Sequence, residues 1–259
     1  MEYADAVLPV MRELRDILLP KWGNATAIRF KSECNYSPVT DVDVAVETYM
    51  AKRLRTVFPD FGFVGEESAG DRTAQQFWLM DPIDGTEAYM RGEEGCTSML
   101  ALVNNGAVVF SAIYDFVNDV MYWAERNRGA FRDTERLSVS NKQSLANAKI
   151  FWEIKVEAGR NRELVNRLND AGATMVRSTL AGWHYAQVAS GAYDARIAVD
   201  PFGHDYDFAP GSLLVKEAGG TVINPGMSSY DYTNLEHIAA NAVLARILND
   251  EIMNTRRIV

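Results

Sequence analysis

Apolar positions recur along this chain with two periods, one helical and one extended. Val7, Val10, Met11, Leu14, Ile17 and Leu18 fall on one face of a helix, which Pro20 and Gly23 bring to an end. A polar link leads to Ser37-Pro38-Val39-Thr40. The helix predicted after it carries Val46, Tyr49, Met50, Leu54 and Val57 at helical spacing and stops before Pro59. Short apolar runs at 61–64 and 77–80 predict core strands, each running straight into acidic residues.

Residues 95–114 carry no charge, a length that could cross a bilayer. Asn104-Asn105-Gly106 divides them into two β-rich runs, 98–103 and 108–114. Asn-Gly supplies the positive φ angles of a tight hairpin, so two buried strands are predicted and no membrane span. A strand at 120–124 and a turn at Arg128-Gly129 follow. The second half predicts strands at 150–154, 173–177, 195–199, 221–224 and 237–240. Helices at 157–168, 181–190 and 208–218 alternate with them, the last closed by Gly219-Gly220 in the left-handed manner. A final amphipathic helix carries Val243, Leu244, Ile247, Leu248 and Ile252. The interleaving follows no strict βαβ period, so layered α and β elements are expected rather than a barrel. No repeat or low-complexity linker divides residues 1–259, which read as one domain with a soft boundary near 140–146.

Acidic residues outnumber basic ones 35 to 26, a net charge of −9 that argues against a nucleic-acid partner. Two cysteines, Cys34 and Cys96, make no disulfide framework, and the acidic N-terminus lacks the pattern of a signal peptide. The cytoplasm is the expected compartment.

The chemistry concentrates where strands end in acids. Asp81-Pro82-Ile83-Asp84-Gly85-Thr86 sets two carboxylates three residues apart, with Pro82 fixing φ and Gly85 permitting an abrupt turn. Such carboxylates can converge, and the Ile83 carbonyl can join them in an all-oxygen set suited to Mg²⁺. Gly65-Glu66-Glu67-Ser68 repeats the arrangement, and Asp205-Tyr206-Asp207 and Thr40-Asp41-Val42-Asp43 place acids at helix starts, where Asp207 could serve as an N-cap. If these segments meet, roughly two or three Mg²⁺ ions would turn an acidic cleft into a phosphate site. Asp41-Val42-Asp43-Val44 lacks the preceding apolar strand that a haloacid-dehalogenase-type nucleophile needs, and no Walker loop or dinucleotide fingerprint occurs.

These motifs, with Asp207-Phe208-Ala209-Pro210-Gly211 running into Glu217-Ala218-Gly219-Gly220, resemble the inositol monophosphatase family of Mg²⁺-dependent, lithium-sensitive phosphatases. The resemblance spans almost the whole chain and takes in Asp43 and Glu47. It implies an α/β fold, the layered αβαβα sandwich of the inositol monophosphatase and fructose-1,6-bisphosphatase-like type, usually dimeric. It implies hydrolysis of a small phosphorylated alcohol, inositol monophosphate first, by metal-activated water. The alternatives are histidinol phosphate as substrate, or a regulatory RNA- or transcription-associated role with little catalysis.

By position, Glu66, Asp81 and the Ile83 carbonyl correspond to the ligands of a first Mg²⁺, and Asp81, Asp84 and Asp207 to those of a second. A third ion would lean on Glu66. Thr86 and Asp43 correspond to the pair that orients and deprotonates the attacking water, and the N–H groups of Gly85 and Thr86 to phosphate contacts. Gly182 and Asp207 complete the substrate contacts. The chain departs from the pattern at Ala88, where the family has Asn, and at Tyr206, where it has Trp. The segment between Gly191 and Asp207 is also longer than the pattern and contains Pro201. Selectivity for the alcohol is expected in 192–206, opposite Leu180-Ala181-Gly182. Its candidates are Asp194, Arg196, Asp200 and His204, with an Asp194–Arg196 surface ion pair as the alternative.

Overall fold

The computed structural model describes residues 3–30, 38–68, 70–157, 159–177 and 179–257. Cys34 and Ser37 lie outside them. Two sheets carry the architecture. The first has seven strands in the order Gly62–Gly65, Gln76–Asp84, Thr97–Asn104, Ala107–Asp115, Val120–Glu125, Gly129–Arg132 and Glu135–Arg136. Only its first pair is parallel. The second has five, ordered Thr174–Arg177, Lys149–Ile154, Ala195–Val199, His237–Ala240 and Thr221–Ile223. The stretch 140–146, read as a soft boundary, runs between the two sheets.

Side chains alternate across a strand, and both faces of the first sheet are buried. Trp78, Met80, Leu100, Leu102 and Phe110 pack against the N-terminal helix Tyr3–Glu13 and the helix Asp41–Val57. Leu79, Met99, Ala101 and Val103 face the other way, onto helices Ala181–Ala189 and Asp205–Glu217. Those two helices also pack against Phe151, Val222 and Ala239 of the second sheet. The outer face of that sheet carries helices Gly159–Asp170 and Ala242–Arg257, through Leu164, Leu168, Leu244 and Leu248. The layers therefore run α, β, α, β, α. The uncharged run 95–114 is apolar because its sheet is covered twice, not because it meets lipid. Asn105 and Gly106, with φ of 50° and 73°, form the two-residue turn inside it. No helix among the described residues is long and apolar enough to cross a membrane.

The helix Thr86–Arg91 and the strands Gly129–Arg132 and Glu135–Arg136 add to the elements expected from the sequence, and three others differ from that reading. The first helix breaks at Leu14, where the hydrogen bonds tighten to i→i−3 (Leu14 N–H to the Met11 carbonyl, 3.2 Å), and resumes as Arg15–Leu18. The polar link contains a short antiparallel pair, Ala27–Phe30 with Pro38–Thr40, whose first strand alternates Ile28 and Phe30 with Arg29 but leaves both exposed, so no core face marks it. The helix expected to start near Phe208 starts at Asp205, with His204 as its N-cap. Asp207 is therefore not the cap: it sits at the third helical position and accepts the His204 N–H.

Candidate active site

A bulge delivers the two aspartates of the central motif. In an unbroken strand, residues three apart point to opposite faces. Asp81 pairs with Met99 and Asp84 with Thr97, so three steps on one strand match two on its neighbour. The extra residue restores parity and turns both carboxylates to the same side. Pro82 sits inside the bulge, where the absence of an N–H costs no ladder bond. Gly85 ends the strand at φ +83°, and a Cβ built there would lie 2.2 Å from Leu180 Cδ2. Gly85→Ala is thus expected to lose about 1–2 kcal/mol from the left-handed backbone alone. Its melting midpoint should fall by several degrees in a thermal melt, since about 1 kcal/mol corresponds to roughly 2–4 °C at this size.

Asp84 is buried, and its two oxygens accept the Ala181 and Gly182 N–H groups at 3.0 and 2.8 Å. The N-terminus of helix Ala181–Ala189 therefore stabilises the carboxylate, while burial pushes it up to about 7. Asp207 arrives from the first turn of Asp205–Glu217. One oxygen from each of Asp81, Asp84 and Asp207 lies within 4.8 Å of the others. Burial first, then Glu66, Asp207 and Asp84, hold Asp81 well above the usual carboxylate range. Asp207 is raised likewise, by the burial of its carboxyl and by Glu66. Asp81 Oδ1 is buried with no hydrogen-bond partner. An orphaned anionic oxygen among converging carboxylates fits a hard divalent cation, so the residues present are chemically suited to Mg²⁺.

Glu66 lines the same cavity from the facing segment. Its N–H donates to the Met80 carbonyl at 3.0 Å, which continues the parallel pairing one residue past the strand. Glu47, from helix Asp41–Val57, accepts the Glu67 N–H at 2.8 Å. The Glu47 carboxylate fills the space above Gly65, where a built Cβ would lie 2.0 Å from Cδ. Only glycine permits that approach, and the contact fixes the segment that presents Glu66.

The cavity has a volume of about 820 Å³. Glu66, Asp81, Ile83, Asp84, Gly85, Thr86 and Asp207 all line it. Asp43 and Gly182 do not. Asp43 is buried at the start of its helix, accepting the Thr40 N–H at 2.7 Å and the Thr40 hydroxyl at 2.6 Å in a capping box. Burial pushes it up to about 7. The Thr86 hydroxyl donates to the Ile83 carbonyl at 3.0 Å. Among the described residues, no hydrogen bond joins Thr86 to Asp43. The Gly182 N–H is committed to Asp84.

The specificity segment is also redrawn. Arg196 is fully buried and forms no ion pair with Asp194; its Nη2 donates to Glu153 Oε2 at 2.7 Å, and its Nη1 meets His237 Nε2 at 3.0 Å. Asp194 accepts the Lys149 N–H. Asp200 lies 3.9 Å from Lys155 Nζ and lines no part of the cavity. His204 does line it, as do Phe202, Tyr206 and Glu153. His184 and His237 are buried and pushed down to about 3, so they stay neutral. The sequence reading missed Glu153 and Phe202. The signal for Glu153 was a charge among the apolar residues of the strand Lys149–Ile154, whose other charge, Lys149, stands exposed at its start, since a charge inside a strand needs a partner.

Comparison with known proteins places this geometry. The inositol monophosphatase family model matches residues 2–258. An inositol monophosphatase of Dictyostelium discoideum is 30% identical over 253 residues, 93% of this chain and 91% of that protein. A histidinol-phosphatase of Mycobacterium tuberculosis is 31% identical over 237 residues, 88% of each chain. The solved structure of a Thermotoga maritima IMPase superposes with a TM-score of 0.88 at 23% identity, covering 99% of both chains.

Proposed function

This chain belongs to the inositol monophosphatase family of phosphatases, and on that premise we propose that it is a Mg²⁺-dependent hydrolase of small phosphate monoesters, inositol monophosphate first among them. The observation that carries the reading is the convergence of Asp81, Asp84 and Asp207 beside the unpartnered Asp81 oxygen, at the floor of an open cavity.

In this reading Asp81, Asp84 and Asp207, with the Ile83 carbonyl and Glu66, would hold Mg²⁺. Bound there, Mg²⁺ supplies the positive charge that an acidic cavity lacks, for the substrate phosphate, the attacking water and the leaving oxygen. Gly85 and Thr86 border the phosphate position, where the first N–H groups of a helix have no intrahelical partner. The Thr86 hydroxyl, bonded to the Ile83 carbonyl, keeps an acceptor lone pair directed by that bond and orients the water. Glu66 faces the same space from the opposite wall. Asp43 keeps the helix cap and with it the position of Thr40.

Histidinol phosphate is the second reading, favoured by the aromatic walls of Phe202 and Tyr206. Phosphate release from inositol 1-phosphate, histidinol phosphate and nucleoside 3′-phosphates, with Mg²⁺ and with chelator, tests the proposal. Release with Mg²⁺ and none with chelator is expected. No release from any of them would leave a binding role instead.

A further inference from the structure

We infer that Phe202 is the specificity-determining residue for the alcohol half of the substrate, and that it selects leaving alcohols carrying a ring over acyclic ones. This rests on the phosphate-monoester reading above and extends it to the other end of the substrate.

Phe202 is 40% exposed, unusual for a large apolar side chain here, and it lines the cavity that holds the carboxylates. Its backbone is pinned: the N–H groups of Phe202 and Gly203 donate to Glu153 Oε1 at 2.9 and 2.7 Å. Glu153 Oε2 is in turn held by the buried Arg196. A charge pair this deep is costly to leave half-made, so the turn has one position and its aromatic ring is presented without loss of loop entropy on binding. Lys155 Nζ stands over the ring at 5.0 Å, and Asp200 lies 3.9 Å from that ammonium. Asp200, one of the candidates for selecting the alcohol, lies outside the cavity and holds the ammonium over the platform.

The rest of the alcohol side supports the same choice. Leu180 and Ile154 line the cavity. The carboxylates Glu87 and Glu93 at its rim are paired with Arg91, at 3.4 and 2.7 Å. Arg177, Thr179 and His204 also line the cavity and can bond the hydroxyls of any alcohol, so what separates a ring from an acyclic chain is the flat apolar contact of Phe202.

The test compares wild type, Phe202→Ala and Phe202→Tyr on inositol 1-phosphate, histidinol phosphate and glycerol 2-phosphate. For Phe202→Ala, kcat/KM should fall about tenfold on the two ring substrates and stay within about twofold on glycerol 2-phosphate, the range of a single apolar contact. Phe202→Tyr should retain wild-type values. Equal losses on all three substrates, or no loss on any, would overturn the inference. A wild-type chain that releases phosphate from none of them with Mg²⁺ would instead remove the reading beneath it.

Discussion

Asp81→Asn should melt at a higher temperature than the wild-type chain in chelator at pH about 8 and, with Mg²⁺ present, should release phosphate about a thousandfold more slowly. The loss of rate corresponds to roughly 4 kcal/mol, within the several kcal/mol that a metal supplies to such a transition state. The stability gain follows from the sign of the shift. Asp81 is held well above the usual carboxylate range, chiefly by burial, so its ionised form penalises the folded chain. That penalty is complete above the folded-state value and vanishes below the unfolded-state one, near 3.8. Asn carries no charge and escapes it. The difference in melting temperature should therefore shrink as pH is lowered toward 4 and reverse in saturating Mg²⁺, which stabilises only a chain that binds it. Melts of both proteins across pH, with and without the metal, give the answer directly.

Asp84→Asn should lose as much activity and, in chelator, should melt below Asp81→Asn. Burial raises Asp84 too, to about 7, so both variants shed that penalty, but Asp84→Asn also breaks backbone hydrogen bonds. Both Asp84 oxygens accept backbone N–H groups, from Ala181 and Gly182. An amide offers one acceptor and sets an NH₂ group against the other donor. An unsatisfied buried donor costs about 1–3 kcal/mol, or roughly 2–12 °C of melting temperature for a chain this long. Asp84→Asn is thus expected to melt below Asp81→Asn by about that much in chelator. A similar response from both would show that the N-terminus of Ala181–Ala189 does not hold Asp84.

What the sequence disclosed was local. The motif from Asp81 to Thr86 is legible because its proline, glycine and acids are contiguous and follow a buried strand. The hairpin turn at Asn105-Gly106 is legible because only a few residues accept positive φ. Contacts between distant residues are what the sequence leaves open. Asp43 takes its hydrogen bonds from Thr40, three residues away, and not from Thr86 across the fold. Arg196 admits two local readings, substrate contact or a pair with Asp194, but its partner Glu153 stands on the adjacent strand, in a register no local pattern encodes. Phe202 drew no notice because an isolated aromatic in a loop has no periodicity; only the pinned turn gives it meaning.

The central claim is that Asp81, Asp84 and Asp207 form a cation site. Calorimetric titration of Mg²⁺ into the wild-type chain and into Asp81→Asn, at pH about 8 without substrate, tests it most directly. Saturable binding to the wild type and its loss in the variant are predicted. Equal binding to both proteins would contradict the account.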